Sequence, residues 1–144
     1  MEVLMKLKVS EVMTRGVEKI SSAAMLEQAA KQMKAHNVGI LPVVDGDEVI
    51  GVVTDRDIVL RAVSERLRPE MTRVHEVMTP KAIFCYEDED IAEASLVMEK
   101  NLVHRLIVLD RNEKLVGIVS LSDLAAKAKS AALAGHVLGE VSAA

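Results

Sequence analysis

Aromatic side chains are almost missing from this chain, which has no tryptophan and only Phe84 and Tyr86 as rings. A core built without rings must be aliphatic, drawn from Val, Ile, Leu, Met and Ala. Half of the sequence is hydrophobic, so such a core is affordable in number. The shortage also removes the stacking platforms on which single-stranded nucleic acids lie. Basic charge is short too: 18 Lys and Arg stand against 22 Asp and Glu, a net charge of −4. A nucleic-acid footprint needs a basic face, so no nucleic-acid partner is expected.

Cysteine is limited to Cys85, which excludes an intramolecular disulfide. In the apolar run Ala82-Ile83-Phe84-Cys85-Tyr86 it reads as a small buried hydrophobe. No apolar run approaches the roughly 18 residues that a membrane span requires. The start, Met1-Glu2-Val3-Leu4-Met5-Lys6, lacks a secretory pattern, so a cytoplasmic protein with no membrane partner is expected. Catalytic signatures are absent as well. There is no nucleophile elbow, Cys-x-x-Cys, His-Glu-x-x-His or phosphate-binding Gly-Lys loop. His36, His75, His104 and His136 lack metal-ligand spacing. The expectation is a non-enzyme with no metal and no required cofactor.

What the chain does have is repetition. Val9-Ser10-Glu11-Val12-Met13-Thr14 recurs 65 positions later as Val74-His75-Glu76-Val77-Met78-Thr79. The same shift carries Leu26 onto Ile91, Ala29 onto Ala94, Met33 onto Met98 and Asp45 onto Asp110. One extra turn residue in the second copy makes the shift 66 where Gly51-Val52-Val53-Thr54-Asp55-Arg56-Asp57 becomes Gly117-Ile118-Val119-Ser120-Leu121-Ser122-Asp123. A chain of 144 residues has room for two small repeats sharing a core.

Within each copy, period and punctuation assign the elements. Val17 to Ile20 and Ala82 to Tyr86 are short strand candidates. Leu26, Ala29, Ala30 and Met33 line one helix face, and Ile91, Ala94, Met98 and Leu102 line its counterpart. Ile40–Val44 and Val49–Val53 form a hairpin about Asp45-Gly46-Asp47, repeated as Leu106–Leu109 and Leu115–Val119. Pro42 is expected at a strand start or facing an unpaired side. A closing helix is predicted from about Asp55 to Leu67, stopped by Pro69. The expected class is α+β: two tandem β-α-β-β-α repeats packed with pseudo-twofold symmetry. The divisions are 9–67 for the first repeat, 68–73 for a linker, 74–130 for the second, and 131–144 for a helical or frayed tail.

In both copies a strand ends in a hydroxyl residue where a helix begins, with a carboxylate three positions on. Thr54-x-x-Asp57 and Ser120-x-x-Asp123 are capping-box patterns, and capping alone needs no ligand. The same geometry serves a nucleoside, because a carboxylate accepts two ribose hydroxyls while the hydroxyl and free helix N–H groups meet phosphate. The second edge has His104 and Arg105 on the adjacent strand, and the arginine fork suits phosphate. The first has Gly39 and Ile40 there, leaving Arg56 as the substitute cation, while Arg61 is assigned to a solvated face. Without an aromatic nearby, aliphatics such as Val17, Ile20, Ile83 or Val103 would have to sandwich a base.

The repeated Met-Thr pair, the Leu-Pro-Val-Val-Asp hairpin entry and the Gly-hydrophobic-hydrophobic-Thr/Ser-x-x-Asp segment resemble the cystathionine-β-synthase (CBS) domain pair, or Bateman module, over roughly Val9 to Lys127. Val103-His104-Arg105-Leu106 with Gly117 to Asp123 also looks like the nucleotide-binding repeats of the AMP-activated kinase regulatory subunit. The resemblance implies a stand-alone regulatory module binding an adenosine-type ligand (AMP, ADP, ATP, or NAD or S-adenosylmethionine) and signalling occupancy to an unidentified regulated protein. It further implies a homodimer forming a four-repeat disc. The implied site is Thr14, His104, Arg105, Ser120, Ser122 and Asp123, with a weaker second site at Thr54, Arg56, Asp57 and Thr79. The alternative is a ligand-free dimerisation module whose Thr/Ser-x-x-Asp motifs are only helix caps.

Overall fold

The duplication is visible in the computed structural model, which describes residues 7–127. Contacts divide the described residues into two compact units, one continuous from Gly16–Ala82 and one assembled from 7–15 and 83–127. Each unit is completed by the segment that opens the other copy in sequence.

The continuous unit begins with β1 (Ile20–Ser21) and α1 (Leu26–His36). Leu26, Ala29 and Met33 are buried, as their spacing predicts, whereas Ala30 is exposed at the margin of that face. Helix α1 stops at Asn37, whose left-handed φ of 52° suits a short amide side chain. The chain returns as β2 (Ile40–Asp45) parallel to β1, and Gly46, at φ 61°, turns it into the antiparallel β3 (Glu48–Thr54). Pro42 lies inside β2 opposite Val52 and fully buried, not at a strand start. It sits one residue ahead of Val43, where the pairing to β1 begins, so the missing N–H falls outside the parallel ladder. The sheet is closed by β4 (Thr79–Pro80), which pairs with Val52 and Gly51 of β3. Val74 and Val77 join Leu26, Leu41, Val43 and Val53 in the core.

The closing helix, α2, is shorter than predicted. Asp55–Asp57 is α-helical and Ile58–Val63 widens into a π-helix. The Ser64 and Leu67 N–H groups reach back five residues to the Val59 and Ala62 carbonyls, at 3.0 and 2.9 Å. Arg66 then turns left-handed at φ 58°, ending the helix ahead of Pro69. Residues 68–73 do not hang free: the Pro69 and Thr72 carbonyls accept the first N–H groups of α1.

The second unit repeats the plan. Strand β5 (Phe84–Tyr86) precedes α3 (Ile91–Asn101), then β6 (Arg105–Leu109) and β7 (Leu115–Ser120) make the hairpin, and residues 121–127 begin α4. Strands β1 and β5 are shorter than the candidate runs, since only two and three residues there pair with a neighbour. The Asp110 carboxylate fastens the β6–β7 turn by accepting the Asn112 and Lys114 N–H groups. Thr14 takes the place of β4, bridging Ile118 through backbone bonds of 2.9 and 3.1 Å. Val9 is fully buried with Leu106, Val108 and Val119. Cys85 is buried in the same core, and desolvation pushes its thiol pKa up to about 12. Leu102 departs from the pattern. The helical spacing places it on the buried face, but α3 ends one residue earlier and Leu102 caps it left-handed, 89% exposed. The C-terminal tail, 131–144, lies outside the described residues. Among the described residues no helix is long and apolar enough to cross a membrane, and no cluster of three or more His, Cys, Asp or Glu is placed to hold a metal ion.

Candidate functional site

Each edge is made where the second hairpin strand hands over to a helix. Thr54 is still extended, at φ −115° and ψ 162°, so its hydroxyl turns over the first helical residues. Its Oγ1 accepts the Asp57 N–H at 3.0 Å, and Asp57 Oδ2 accepts the Thr54 N–H at 3.0 Å. Ser120 and Asp123 repeat the exchange at 2.9 and 3.0 Å. Both capping boxes read from sequence are therefore formed. A further bond holds the preceding strand against each helix start: Asp55 N–H to the Gly39 carbonyl, and Leu121 N–H to the His104 carbonyl, at 2.9 and 2.8 Å.

The two edges differ in what else meets the carboxylate. Asp57 is buried, and the Thr79 hydroxyl lies 3.2 and 3.3 Å from its two oxygens. Arg61, one helical turn on, stands 3.9 Å from Asp57 Oδ1 and donates to the Val77 and Met78 carbonyls. Arg61 therefore belongs to this network rather than to the solvated face. Its signal was the four-residue spacing from Asp57, which puts both on one side of a helical turn. Arg56, the residue named for that role, is exposed on the outer side with Asp55, Val59 and Leu60.

Asp123 is half-buried, and its Oδ2 is the oxygen engaged by the cap. Among the described residues its Oδ1 accepts no hydrogen bond, and Thr14, exposed at the place Thr79 takes in the other unit, does not bond it. Arg105 stands directly across the ladder from Ser120, with His104 beside it, both exposed. Neither has an ion-pair partner among the described residues. Ser122 is exposed on the first turn of α4. Thr14, His104, Arg105, Ser120, Ser122 and Asp123 thus all fall in one unit, and Thr54, Arg56, Asp57 and Thr79 in the other. At the first edge a Cβ on Gly39 would stand 2.8 Å from Asp55 Oδ2, so the Asp55 carboxylate would have to turn aside for a histidine like His104. Of the aliphatics named for a base, Val17, Ile83 and Val103 are half-buried. Ile20 is 2% exposed in a core and is not available.

Two β-α-β-β-α copies, each carrying a capped hydroxyl–carboxylate edge completed by an exchanged segment, define a duplicated α+β module. The chain belongs to the CBS-domain family, whose model matches residues 9–64 and 74–130. It is 38% identical over 134 residues to the CBS domain-containing protein YhcV of Bacillus subtilis, covering 93% of this chain and 94% of that one. It is 33% identical over 116 residues to Hypoxic response protein 1 of Mycobacterium tuberculosis, with 80% of each covered. Among solved structures it resembles the CBS domain pair of protein MJ0100 in complex with 5′-methylthioadenosine and S-adenosyl-L-methionine. That match has a TM-score of 0.76 at 26% identity, covering 86% of this chain and 97% of that one.

Proposed function

We propose that this protein is a regulatory module that binds an adenosine-type ligand at the Asp123 edge and signals occupancy to a partner protein. The uncommitted Oδ1 of Asp123, next to His104 and Arg105, carries the reading. A ribose diol has an acceptor there, and a phosphate or carboxylate tail has a cation across the strand pair from Ser120. The MJ0100 pair, crystallised with two adenosine derivatives, supports the ligand class. The Asp57 edge is a weaker site, because its carboxylate is already engaged by Thr79 and approached by Arg61. The module acts without catalysing a reaction, in the cytoplasm, and as a homodimer. The apolar Val59, Leu60 and Val63, 54, 51 and 63% exposed on α2, offer a face for self-association.

Titration calorimetry with AMP, ATP, NAD and S-adenosylmethionine tests the reading, and sedimentation of the same samples reads the assembly state. Binding of at least one ligand, lost in Asp123→Ala with the fold retained, is expected. No heat and no thermal shift with any of them would overturn it. The complete capping boxes favour one competing reading, a ligand-free interaction module. That reading predicts that Asp123→Ala costs about 1 kcal/mol of stability and changes no ligand affinity.

A further inference from the structure

The segment that completes the second unit, 7–15, is separated from the rest of it in sequence by the whole of Gly16–Ala82. Non-covalent contacts hold it there. Val9 and Ser10 donate their N–H groups to the Glu89 and Glu87 carbonyls at 2.9 and 3.0 Å, the Ile91 N–H returns to the Leu7 carbonyl, and Thr14 pairs with Ile118. The first unit receives its own segment the same way. The Val74 and His75 N–H groups go to the Ala24 and Ser22 carbonyls, and the Leu26 N–H to the Thr72 carbonyl. Val9 and Val74 are both fully buried. Backbone pairing and apolar anchoring are thus matched in the two units, and what differs is charge.

The receiving loop of the first unit, Ser22-Ala23-Ala24-Met25, carries none. Its counterpart 65 positions on is Glu87-Asp88-Glu89-Asp90, four consecutive carboxylates. Two of them have partners in the body of the second unit. Glu89 accepts the Tyr86 N–H at 3.1 Å, and Asp88 accepts Arg111 Nε at 2.9 and 3.1 Å, with that guanidinium 4.0 Å over the Tyr86 ring. The other two face the cations of the incoming segment. Lys8 Nζ stands 2.9 Å from Asp90 Oδ1, and Arg15 Nη2 stands 4.0 Å from Glu87 Oε1. Glu11, the remaining charge of the segment, turns back to accept the Lys8 N–H at 2.7 Å. In the first unit Arg73 takes the place of Lys8 and donates to the neutral Ala23 carbonyl, while Pro80 takes the place of Arg15.

We propose that segment 7–15 is an electrostatically latched strap, whose hold on the second unit loosens as ionic strength rises while the corresponding segment of the first unit stays in place. Both latching pairs lie at the surface, where dissolved ions screen them. The strap delivers Thr14 to Ile118, two residues from Ser120 on β7, so that ionic strength reaches the strand that ends in the candidate edge. The inference stands whether or not that edge holds a nucleotide.

Amide hydrogen exchange of the full chain, resolved by residue, tests this between about 0.01 and 1 M sodium chloride, over which the screening length falls from roughly 30 to 3 Å. Val9, Ser10 and Thr14 are expected to exchange about threefold to tenfold faster at the higher salt, and Val74 and His75 to change less than about twofold, as two weak surface pairs allow. Lys8→Gln and, separately, Asp90→Asn should each speed exchange at low salt and shrink the salt response. Asparagine is an accepted residue at the head of α3, where Asp90 stands. An equal response in the two segments would overturn the proposal, as would a salt response that persists unchanged in both variants. Slower exchange of Val9 at high salt would overturn it too, because repulsion among the four carboxylates would then outweigh the attraction.

Discussion

Asp57 and Asp123 occupy equivalent positions, yet their neighbours assign them different work. Asp57 accepts from the Thr54 N–H and the Thr79 hydroxyl while itself buried, so Asp57→Ala leaves two half-buried donors without their acceptor. The expected loss is about 1–3 kcal/mol, read from urea unfolding, and larger than for Asp123→Ala. Nucleotide binding at the Asp123 edge should survive Asp57→Ala, which calorimetry checks. Cys85 gives a second expectation at this scale. Its folded pKa is raised from 9.0 to about 12 because burial penalises the thiolate. Below pH 9 the thiol is neutral in both states and stability is unaffected. Between pH 9 and about 12 the unfolded chain ionises first, so that stability falls as pH rises through this window. Cys85→Ala should flatten the alkaline part of a pH–stability curve, and the native thiol should resist thiol reagents at neutral pH.

Among the elements, the exchanged segments are held by glycine. A Cβ at Gly117 would lie 2.6 Å from the Thr14 carbonyl oxygen and 2.9 Å from Met13 Sδ. At Gly51 it would lie 2.4 Å from the Thr79 carbonyl oxygen. Backbone cannot yield as a side-chain tip can, so Gly117→Ala should cost roughly 1–3 kcal/mol in chemical unfolding. It should also loosen Thr14 from Ile118 and weaken the proposed nucleotide binding, which calorimetry on the variant reads. Elements of this kind were legible to different degrees. The hairpins announced themselves through turn residues, and α1 and α3 through the period of Leu26, Ala29, Met33 and their counterparts. Thr79 on Asp57 was legible as a pair of candidates but not as a bond, since it arises only from the close approach of β3 and β4. Leu102 misled because periodicity cannot see a helix stop one residue early. The end of α2 was placed too late because the widening to a π-helix leaves no mark in apolar spacing.

For the molecule as a whole, repeat boundaries in sequence and unit boundaries in space do not coincide. Gly16–Ala82 is continuous and contains its own core, its own Thr54–Asp57–Thr79 edge and the helix that follows. Expressed alone, it should unfold cooperatively in urea, with far-UV dichroism as the signal, whereas 9–67 should not, because it lacks Val74 and Val77. The duplication was legible from the 65-residue shift, but the exchange of segments was not: Val9 and Val74 look alike in sequence, and only packing says which core each enters.

The exchange also sets an order of events on the ribosome. Residues 7–15 leave the exit tunnel first, yet the strand that receives Thr14 is not finished until Ser120 has been made. At roughly 5–20 residues per second, the opening segment waits on the order of 10 s, exposing Val9, Val12 and Met13, while the stretch synthesised after it becomes the first complete unit.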